Sequence, residues 1–129
     1  MTDIFIFSET FIKSCDYVGL RSSYKTEGKT WWLSNAWQYA VYKASCPGKT
    51  FSMMEDLSRC DAERWRIEAL GKRCGDRIEH KDRVTFKGVR DNEYIYYFYE
   101  LLGRYVTHGN KKEYWEIYAE DGEVFKFDG

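Results

Sequence analysis

The sequence predicts an α+β fold, in which three short helices pack on one face of a mostly antiparallel sheet of about four to five strands, with a C-terminal β-meander. In the last third of the chain, aromatic residues fall on alternate positions, which is the period of a strand. Between residues 35 and 74, apolar residues recur at helical spacing instead. The 129 residues are 43% hydrophobic and 32% charged, which is the balance of one globular domain over 1–129.

The first strand is predicted at the apolar run 4–7. The stretch that follows has two readings. Ser8 could cap a short helix through Asp16, whereas residues 17–20 could equally begin a strand. Residues 22–30 are polar, so we expect a surface loop or a loose hairpin there.

The three helices are predicted from their caps and from the break at Pro47. Ser34 is a good N-cap for the first helix, and the range 52–59 begins with a capping-box pair. Asp61 can cap the third helix, which ends at Gly71 or Gly75. The apolar residues at helical spacing are Trp37, Ala40, Val41 and Ala44 in the first helix and Trp65, Ala69 and Leu70 in the third.

From residue 83 onward the pattern is that of a meander. Strand-like runs follow one another at 84–89, 94–99, 104–107 and 113–118. The triplets 90–92 and 108–110 are turns between them. Asp121-Gly122 supplies the backbone that a tight hairpin needs before the last run, 123–127.

The alternation assigns the two faces of this meander. The core face is predicted to hold Ile95, Tyr97, Tyr99, Trp115, Ile117, Phe125 and Phe127. The opposite face then displays Tyr94, Tyr96, Tyr114 and Tyr118 around a Glu116–Lys126 pair. An open face of this kind is a binding platform, because tyrosine offers a large contact area and loses little rotamer entropy. A helix or loop over the same face would make the tyrosines structural instead.

Two adjacent tryptophans, Trp31 and Trp32, form a second candidate for binding. In a strand, adjacent side chains point to opposite sides, so only one of the two rings is expected in the core. The other ring is either an anchor for a partner or a staple over the following helix.

The charge of the chain is balanced, with 20 basic and 21 acidic residues and a net charge of −1. This balance argues against a binder of duplex nucleic acid, which needs a field that matches the phosphates. A local group of basic residues could still line a groove for a single strand. These residues are Lys72, Arg73, Arg77, Lys81, Arg83, Lys87 and Arg90, and they are interleaved with acidic residues.

The chain carries no recognisable metal or catalytic motif. Its cysteines lack a Cys-x-x-Cys pair, and the two histidines, His80 and His108, are predicted in polar loops away from ligand spacing. We therefore expect no metal, no cofactor and no catalytic residue. Cys15, Cys46, Cys60 and Cys74 could form two disulfides, but without an export signal we expect a reducing compartment, and the four cysteines are interpreted as small buried hydrophobes. Without a secretory leader or a long apolar run, the protein is expected in the cytoplasm.

Three short segments, 28–31, 38–44 and 70–72, resemble motifs of the NADAR family of N-glycosidases, over less than half of the chain. That family has an acidic residue where 34–36 stands here, and a Trp-Gly near its end that this chain lacks. We therefore do not assign the chain to the family, and N-glycosidase activity stays an alternative.

These observations favour a small cytosolic protein that binds another protein and acts by stoichiometric occlusion. Such a protein is an inhibitor of the immunity-protein type or of the phage-encoded anti-defence, anti-CRISPR-like type, with aromatic anchors and acidic side chains that pair with basic groups of the partner. Its binding residues are predicted to be Trp31, Trp32, Tyr94, Tyr96, Tyr114, Glu116, Tyr118 and Lys126. A single-stranded nucleic-acid-binding domain and a small enzyme are the alternatives.

Overall fold

The computed structural model describes residues 4–8, 11–21, 39–48, 64–100 and 103–119. Every regular element in these ranges is a strand, so the fold is all-β and the predicted α+β arrangement is wrong. Within the same ranges, no helix is long and apolar enough to cross a membrane. The strands are β1 (Ile4–Ser8), β2 (Tyr17–Arg21), β3 (Tyr39–Ser45), β4 (Trp65–Ala69), β5 (Arg83–Gly88), β6 (Tyr94–Glu100), β7 (Gly103–Gly109) and β8 (Trp115–Ala119).

Strands β1–β5 and β8 close into an antiparallel barrel. Their order is β4-β2-β1-β3-β8-β5, and the pairing of β4 with β5 completes the ring. Strands β6 and β7 form a hairpin that extends the sheet from β5. One edge of β5 therefore lies along β4, whereas its other edge is shared between β8 and β6. Its start pairs with β8 at Arg83 and Val84, and its end pairs with β6 through Lys87 and Tyr94.

Two of the three predicted helices are strands in the structure. Residues 39–45 and 65–69, which lie in the first and third predicted helices, form β3 and β4. The cause is that a spacing of four, as between Trp65 and Ala69, fits the period of a strand as well as that of a helix. In β4 the buried residues alternate with partly exposed ones, as expected of a strand with one face on the core. The second predicted helix, 52–59, lies outside the described residues.

Most of the strand predictions are confirmed. The first apolar run forms β1, the strand reading of 17–20 is the correct one, and the four runs predicted as a meander form β5 to β8. Among the described residues only β5, β6 and β7 are arranged as a meander, because β8 pairs with β3 and β5 and not with β7. The described residues between 11 and 16 contain no helix. The break at Pro47 follows a strand instead of separating two helices. The described residues alone form a sheet of eight strands, more than the four or five expected. The final hairpin predicted at 121–127 lies outside them.

The core is built mainly from inward-facing residues of the barrel strands, together with Ile12 and Ile78 outside the strands and Ile95 on β6. Its largest fully buried side chains are Trp65, Trp115, Phe86, Ile4, Ile6, Ile12, Leu20, Ile67, Ile78 and Ile95. The two tryptophans lie on β4 and β8, on either side of β5 in the ring. Burial of such rings removes on the order of 150–250 Å² of surface each, so they dominate the packing. The inward assignment of Ile95, Trp115 and Ile117 is thereby confirmed.

The β6–β7 hairpin is fixed to the barrel at two points. The turn before β6 is closed by hydrogen bonds from Asn92 N to Gly88 O, at 3.1 Å, and from Gly88 N to Glu93 O, at 2.8 Å. Deeper inside, the indole Nε1 of Trp115 donates to the carbonyl oxygen of Ile95 at 3.1 Å. This buried bond ties a core residue of the barrel to the backbone of β6, which orients the faces of the hairpin.

The segment 11–16 is packed between β4 and the loop that joins β4 to β5. Ser14 is 2% exposed, and its Oγ accepts the N–H of Ala69 at 3.0 Å. Its backbone N donates to Asp76 O at 2.8 Å, and the N of Ile78 donates to Ile12 O at 3.0 Å. These bonds satisfy the backbone of a segment that has no regular secondary structure.

A disulfide bond between Cys15 and Cys74 joins the same two segments. Cys74 lies at the exposed surface, so the prediction of four buried thiols is wrong for this pair, although Cys46 is buried. Cys60 lies outside the described residues. Sequence spacing could not reveal the pair, because 59 residues separate its members and their proximity depends on the path of the chain.

Two titratable groups are perturbed where the 70–82 loop meets the barrel. Burial raises the pKa of the Tyr42 phenol, although the nearby Arg77 opposes the shift. The Tyr42 hydroxyl donates to the carbonyl oxygen of Ile78 at 2.8 Å. The pKa of Lys72 is raised chiefly by its hydrogen bond to Asp82, whose carboxylate lies 2.7 Å from Nζ.

The first prediction concerns the disulfide. Replacing both cysteines, in a Cys15→Ser, Cys74→Ser double variant, should lower the free energy of unfolding by about 4 kcal/mol, because a bridge over 59 residues restricts the unfolded chain. Urea unfolding without reductant measures the change. Addition of a dithiol reductant to the wild type should lower its stability similarly and leave the variant unchanged. Equal stability of the two proteins in the absence of reductant would show that these thiols are not bonded in solution.

The second prediction concerns alkaline pH. In the folded state, Tyr42 and Lys72 hold their protons more tightly than in the unfolded chain, so their contribution to stability is complete below the ordinary pKa values of about 10 and about 10.4. It is lost as the pH rises through the raised folded values. The free energy of unfolding should therefore fall with pH in this range, and less steeply in Tyr42→Phe.

The same Tyr42→Phe variant should lose about 1 kcal/mol at neutral pH, because the hydrogen bond to Ile78 is removed. Tyr17→Phe is the matched control, because this tyrosine is 48% exposed. A Tyr42→Phe curve parallel to that of the wild type would contradict the assignment.

Candidate functional site

The outer face of the β6–β7 hairpin presents a row of aromatic rings. Along β6, Ile95 and Tyr97 are buried, whereas Tyr94, Tyr96 and Phe98 alternate with them and are partly exposed. The rings of Tyr96 and Phe98 are in edge-to-face contact, with centroids 6.4 Å apart. Among the described residues no helix covers this face.

Lysine ammonium groups surround these rings. Nζ of Lys87 lies 5.6 Å from the Tyr94 centroid, and Nζ of Lys111 lies 5.6 Å from that of Tyr96. Lys87 faces Tyr94 because the two residues are paired across β5 and β6. An ammonium group at this distance is attracted by the negative face of the ring.

The loop between β7 and β8 brings a third tyrosine to the same surface. Nζ of Lys112 lies 5.8 Å from the centroid of Tyr94 and 5.6 Å from that of Tyr114, so the two rings are neighbours across one ammonium group. We call Tyr94, Tyr96 and Tyr114, with Lys87, Lys111 and Lys112, the hairpin surface. Considering only described residues, none of its three lysines forms an ion pair with a carboxylate.

A glycine on β7 sets the position of the Tyr96 ring. Gly109 is paired with Tyr94, diagonally beside Tyr96. A Cβ atom built on Gly109 would lie 3.1 Å from Cε1 of Tyr96, which is tighter than ordinary van der Waals contact. The absence of a side chain at Gly109 therefore lets the ring of Tyr96 lie against the strand, with its other side turned outward.

A second group of side chains lies on the outer side of β8. We call Tyr118, Glu116, Lys43, Arg83 and His80 the Tyr118 cluster. The Tyr118 hydroxyl donates to the carboxylate of Glu116, and Nη2 of Arg83 lies 3.9 Å from that carboxylate. Nζ of Lys43 lies 5.9 Å from the Tyr118 centroid, and the His80 ring meets the Tyr118 ring edge-on at 5.7 Å.

The predicted binding residues thus fall into three groups. Tyr94, Tyr96 and Tyr114 come together on the hairpin surface, whereas Glu116 and Tyr118 belong to the Tyr118 cluster. The remaining three predicted residues, Trp31, Trp32 and Lys126, lie outside the described residues, and so does the proposed Glu116–Lys126 pair. In this structure the described partners of Glu116 are Tyr118 and Arg83.

The sequence did not single out the lysines that meet the tyrosines. Lys111 and Lys112 follow a predicted turn and directly precede the aromatic run at Tyr114, which is the one local signal that could have marked them. Lys87 was noted only within a larger basic group. Other members of that group lie elsewhere: Lys72 is held by Asp82, and Arg77 stacks on Phe11 with its Cζ 3.9 Å from the ring centroid.

The structure places both histidines in specific contacts. His108 lies on β7, not in a loop as predicted, and its Nδ1 is 2.9 Å from a carboxylate oxygen of Glu93. His80 lies in the turn before β5 and meets Tyr118. Among the described residues, no group of three or more His, Cys, Asp or Glu side chains could hold a metal ion.

No protein-family model, curated protein or solved structure matches the chain. The short resemblance to N-glycosidases is therefore not supported by a family match. Its segment 39–44 lies in a strand of the barrel. The function has to be inferred from the geometry of the two surfaces.

The third prediction tests the contact between Tyr96 and Gly109. Because the ring lies over the glycine, its ring current should separate the two Hα resonances of Gly109 in the proton NMR spectrum. Tyr96→Ala should bring the two resonances together, whereas Tyr96→Phe should keep them apart, because it retains the ring. Identical Gly109 shifts in the wild type and in Tyr96→Ala would show that the ring lies elsewhere in solution.

Proposed function

We propose that the protein binds single-stranded nucleic acid through the hairpin surface. The observation that supports this proposal is the placement of three lysine ammonium groups directly beside partly exposed tyrosine rings. A single strand offers both of the groups that such a surface can bind, namely flat bases that stack on aromatic rings and phosphates that pair with cations. Tyr94 and Tyr96 lie on a hairpin strand that extends the sheet of the barrel, so their rings are held in place before the ligand arrives.

The interaction energies of lysine favour a change of partner on binding, from a tyrosine ring to a phosphate. A cation–π contact at an exposed site contributes about 0.5–1 kcal/mol. A hydrogen bond to a charged group contributes about 1.5–3 kcal/mol, so a lysine gains by moving from the ring to a phosphate. The ring face that the lysine leaves then becomes available to a base. Lys112 is suited to this exchange, because it is exposed and lies beside both Tyr94 and Tyr114.

The charges around the tyrosines distinguish this proposal from the inhibitor expected from the sequence. That hypothesis relied on acidic side chains that pair with basic groups of a partner protein. The described side chains beside Tyr94, Tyr96 and Tyr114 are lysines instead. A cationic aromatic surface selects an anionic ligand, and of the alternatives raised by the sequence only single-stranded nucleic acid is one. Binding of an acidic protein is an outcome that the experiment can detect.

The fourth prediction is the binding experiment itself. Fluorescence anisotropy with labelled dodecamers of deoxythymidylate and of uridylate should show binding at low salt. The logarithm of the association constant should fall with the logarithm of the salt concentration, with a slope of about −2 if the three lysines contact phosphates. Tyr96→Ala should weaken binding about tenfold, because a stacked base contributes about 1–3 kcal/mol. The two dodecamers together show whether the sugar matters.

Two variants provide controls. Tyr17→Ala removes a tyrosine that is 48% exposed but lies on β2, and it should bind as the wild type does. Lys112→Gln should weaken binding and reduce the salt slope by about 0.7, the share of one phosphate contact. Binding that is absent at low salt or insensitive to salt rejects the proposal. So does displacement of the oligonucleotide by polyglutamate of equal charge, because that result indicates an acidic protein as partner.

A further inference from the structure

The Tyr118 cluster repeats the chemistry of the hairpin surface. In both places a lysine ammonium group lies beside a tyrosine ring. Lys112 Nζ is 5.6 Å from the Tyr114 centroid, and Lys43 Nζ is 5.9 Å from the Tyr118 centroid. The Lys43 contact follows from the pairing of β3 with β8, which sets Lys43 opposite Tyr118. The same class of ligand therefore fits both places.

The two places lie on one side of the barrel wall. Along β8, Trp115 and Ile117 are fully buried, so Glu116 and Tyr118 point outward. Tyr114 lies two residues before Glu116, at the same alternate positions of the chain, and is also partly exposed. The alternation of a strand therefore puts Tyr114 and Tyr118 on the same outer face.

Strand β5 connects the two places from the other side. Arg83 is paired with Glu116 and Lys87 with Tyr94, so one strand contacts both the Tyr118 cluster and the hairpin surface. Val84 and Phe86 of β5 are fully buried, which turns Arg83 and Lys87 outward. Thr85, which lies between these two residues, is 2% exposed, so the outer side of β5 is covered at that point. The open path therefore runs from Tyr96 and Tyr94 to Tyr114 and along the outer side of β8, where Glu116 and Tyr118 are partly exposed.

The charge of the Tyr118 cluster also suits an anionic chain. Its carboxylate, Glu116, accepts the hydroxyl of Tyr118 and lies 3.9 Å from Arg83. Lys43 and Arg83 are both cations, and an anionic chain can interact with them. The Tyr118 ring is oriented by the hydrogen bond to Glu116.

The distance between the hairpin surface and the Tyr118 cluster limits which ligands can contact both. Tyr114 and Tyr118 are four residues apart in an extended chain, which corresponds to about 13 Å at about 3.3 Å per residue. One base cannot stack on both rings over such a distance, whereas consecutive nucleotides of a strand can.

We propose, on the basis of the function inferred above, that the nucleic acid lies in one continuous track from Tyr96 to Tyr118, with the Tyr118 cluster as its second contact point. The ligand is then an extended strand of several nucleotides. A mononucleotide or dinucleotide fills only one end of this track. Tyr118 stacks a base, and Lys43 pairs with a phosphate beside it.

The fifth prediction uses the length of the probe to separate the two ends. Affinities of a deoxythymidylate dinucleotide, tetranucleotide and octanucleotide are measured by NMR titration and anisotropy for the wild type, Tyr118→Ala and Lys43→Gln. Tyr118→Ala should weaken binding of the octanucleotide at least about fivefold, the lower limit for one stacked base. For the dinucleotide, which is too short to reach both ends of the track, the loss of affinity caused by Tyr118→Ala should be smaller than for the octanucleotide. Lys43→Gln should reduce the salt slope of the octanucleotide by about 0.7.

Further variants separate loss of a contact from loss of the fold. Tyr118→Phe keeps the ring and should retain the octanucleotide affinity, although it loses the hydrogen bond to Glu116. Thermal unfolding and the Gly109 resonances report whether each variant is folded. Lys43→Gln removes the ammonium group and its contact with the Tyr118 ring but keeps the ring itself.

The outcomes distinguish the track from the function on which it depends. If Tyr96→Ala weakens octanucleotide binding but Tyr118→Ala and Lys43→Gln do not, the track is wrong and the proposed function stands. If Tyr118→Ala weakens dinucleotide and octanucleotide binding by the same factor, a single compact site replaces the track. If none of the three variants changes the affinity of any probe, both proposals fail.

Discussion

The pairing of β5 is the constraint on which the rest of this structure depends. Its full length lies against β4, which closes the barrel, and its other edge is divided between β8 and β6. A strand has only two edges, so this division forces the chain after β5 to leave the barrel as a hairpin and to return as β8. The hairpin, the loop that carries Lys111 and Lys112, and the outer side of β8 are all positioned by this one strand.

The same constraint explains why core and candidate site are closely linked. Trp115 fills the core beside Val84 and donates its indole N–H to the backbone of β6 at 3.1 Å. The residue before it, Tyr114, points to the outside and meets Lys112. Because side chains alternate along a strand, fixing the tryptophan inside the barrel also fixes the tyrosine outside it. Burial of the core thus supplies the rigidity that a preorganised binding surface needs.

The loop between β4 and β5 has a different character from the hairpin. It is secured by a disulfide to the segment 11–16, by backbone hydrogen bonds from Ser14 and Ile78, and by the contacts of Lys72 with carboxylates. Its charged groups are mostly engaged with one another or with the backbone. The lysines of the hairpin surface lie on aromatic rings instead. This contrast, and not the number of basic residues, distinguishes a surface that can accept a ligand from a solvated structural loop.

The alternation of residues was sufficient to predict β1, the four strands β5 to β8 and the inward residues of β6 and β8, because a period of two is unambiguous when large rings mark every second position. The same alternation predicted the outward tyrosines of the candidate site. It was not sufficient for β3 and β4, where a spacing of four residues fits a helix and a strand equally well. The order of the strands depends on contacts between distant parts of the chain, which no local pattern contains. The closure of the barrel, the position of β8 beside β5, and the contacts of Lys87, Lys111 and Lys112 with their rings therefore follow from the folded chain alone.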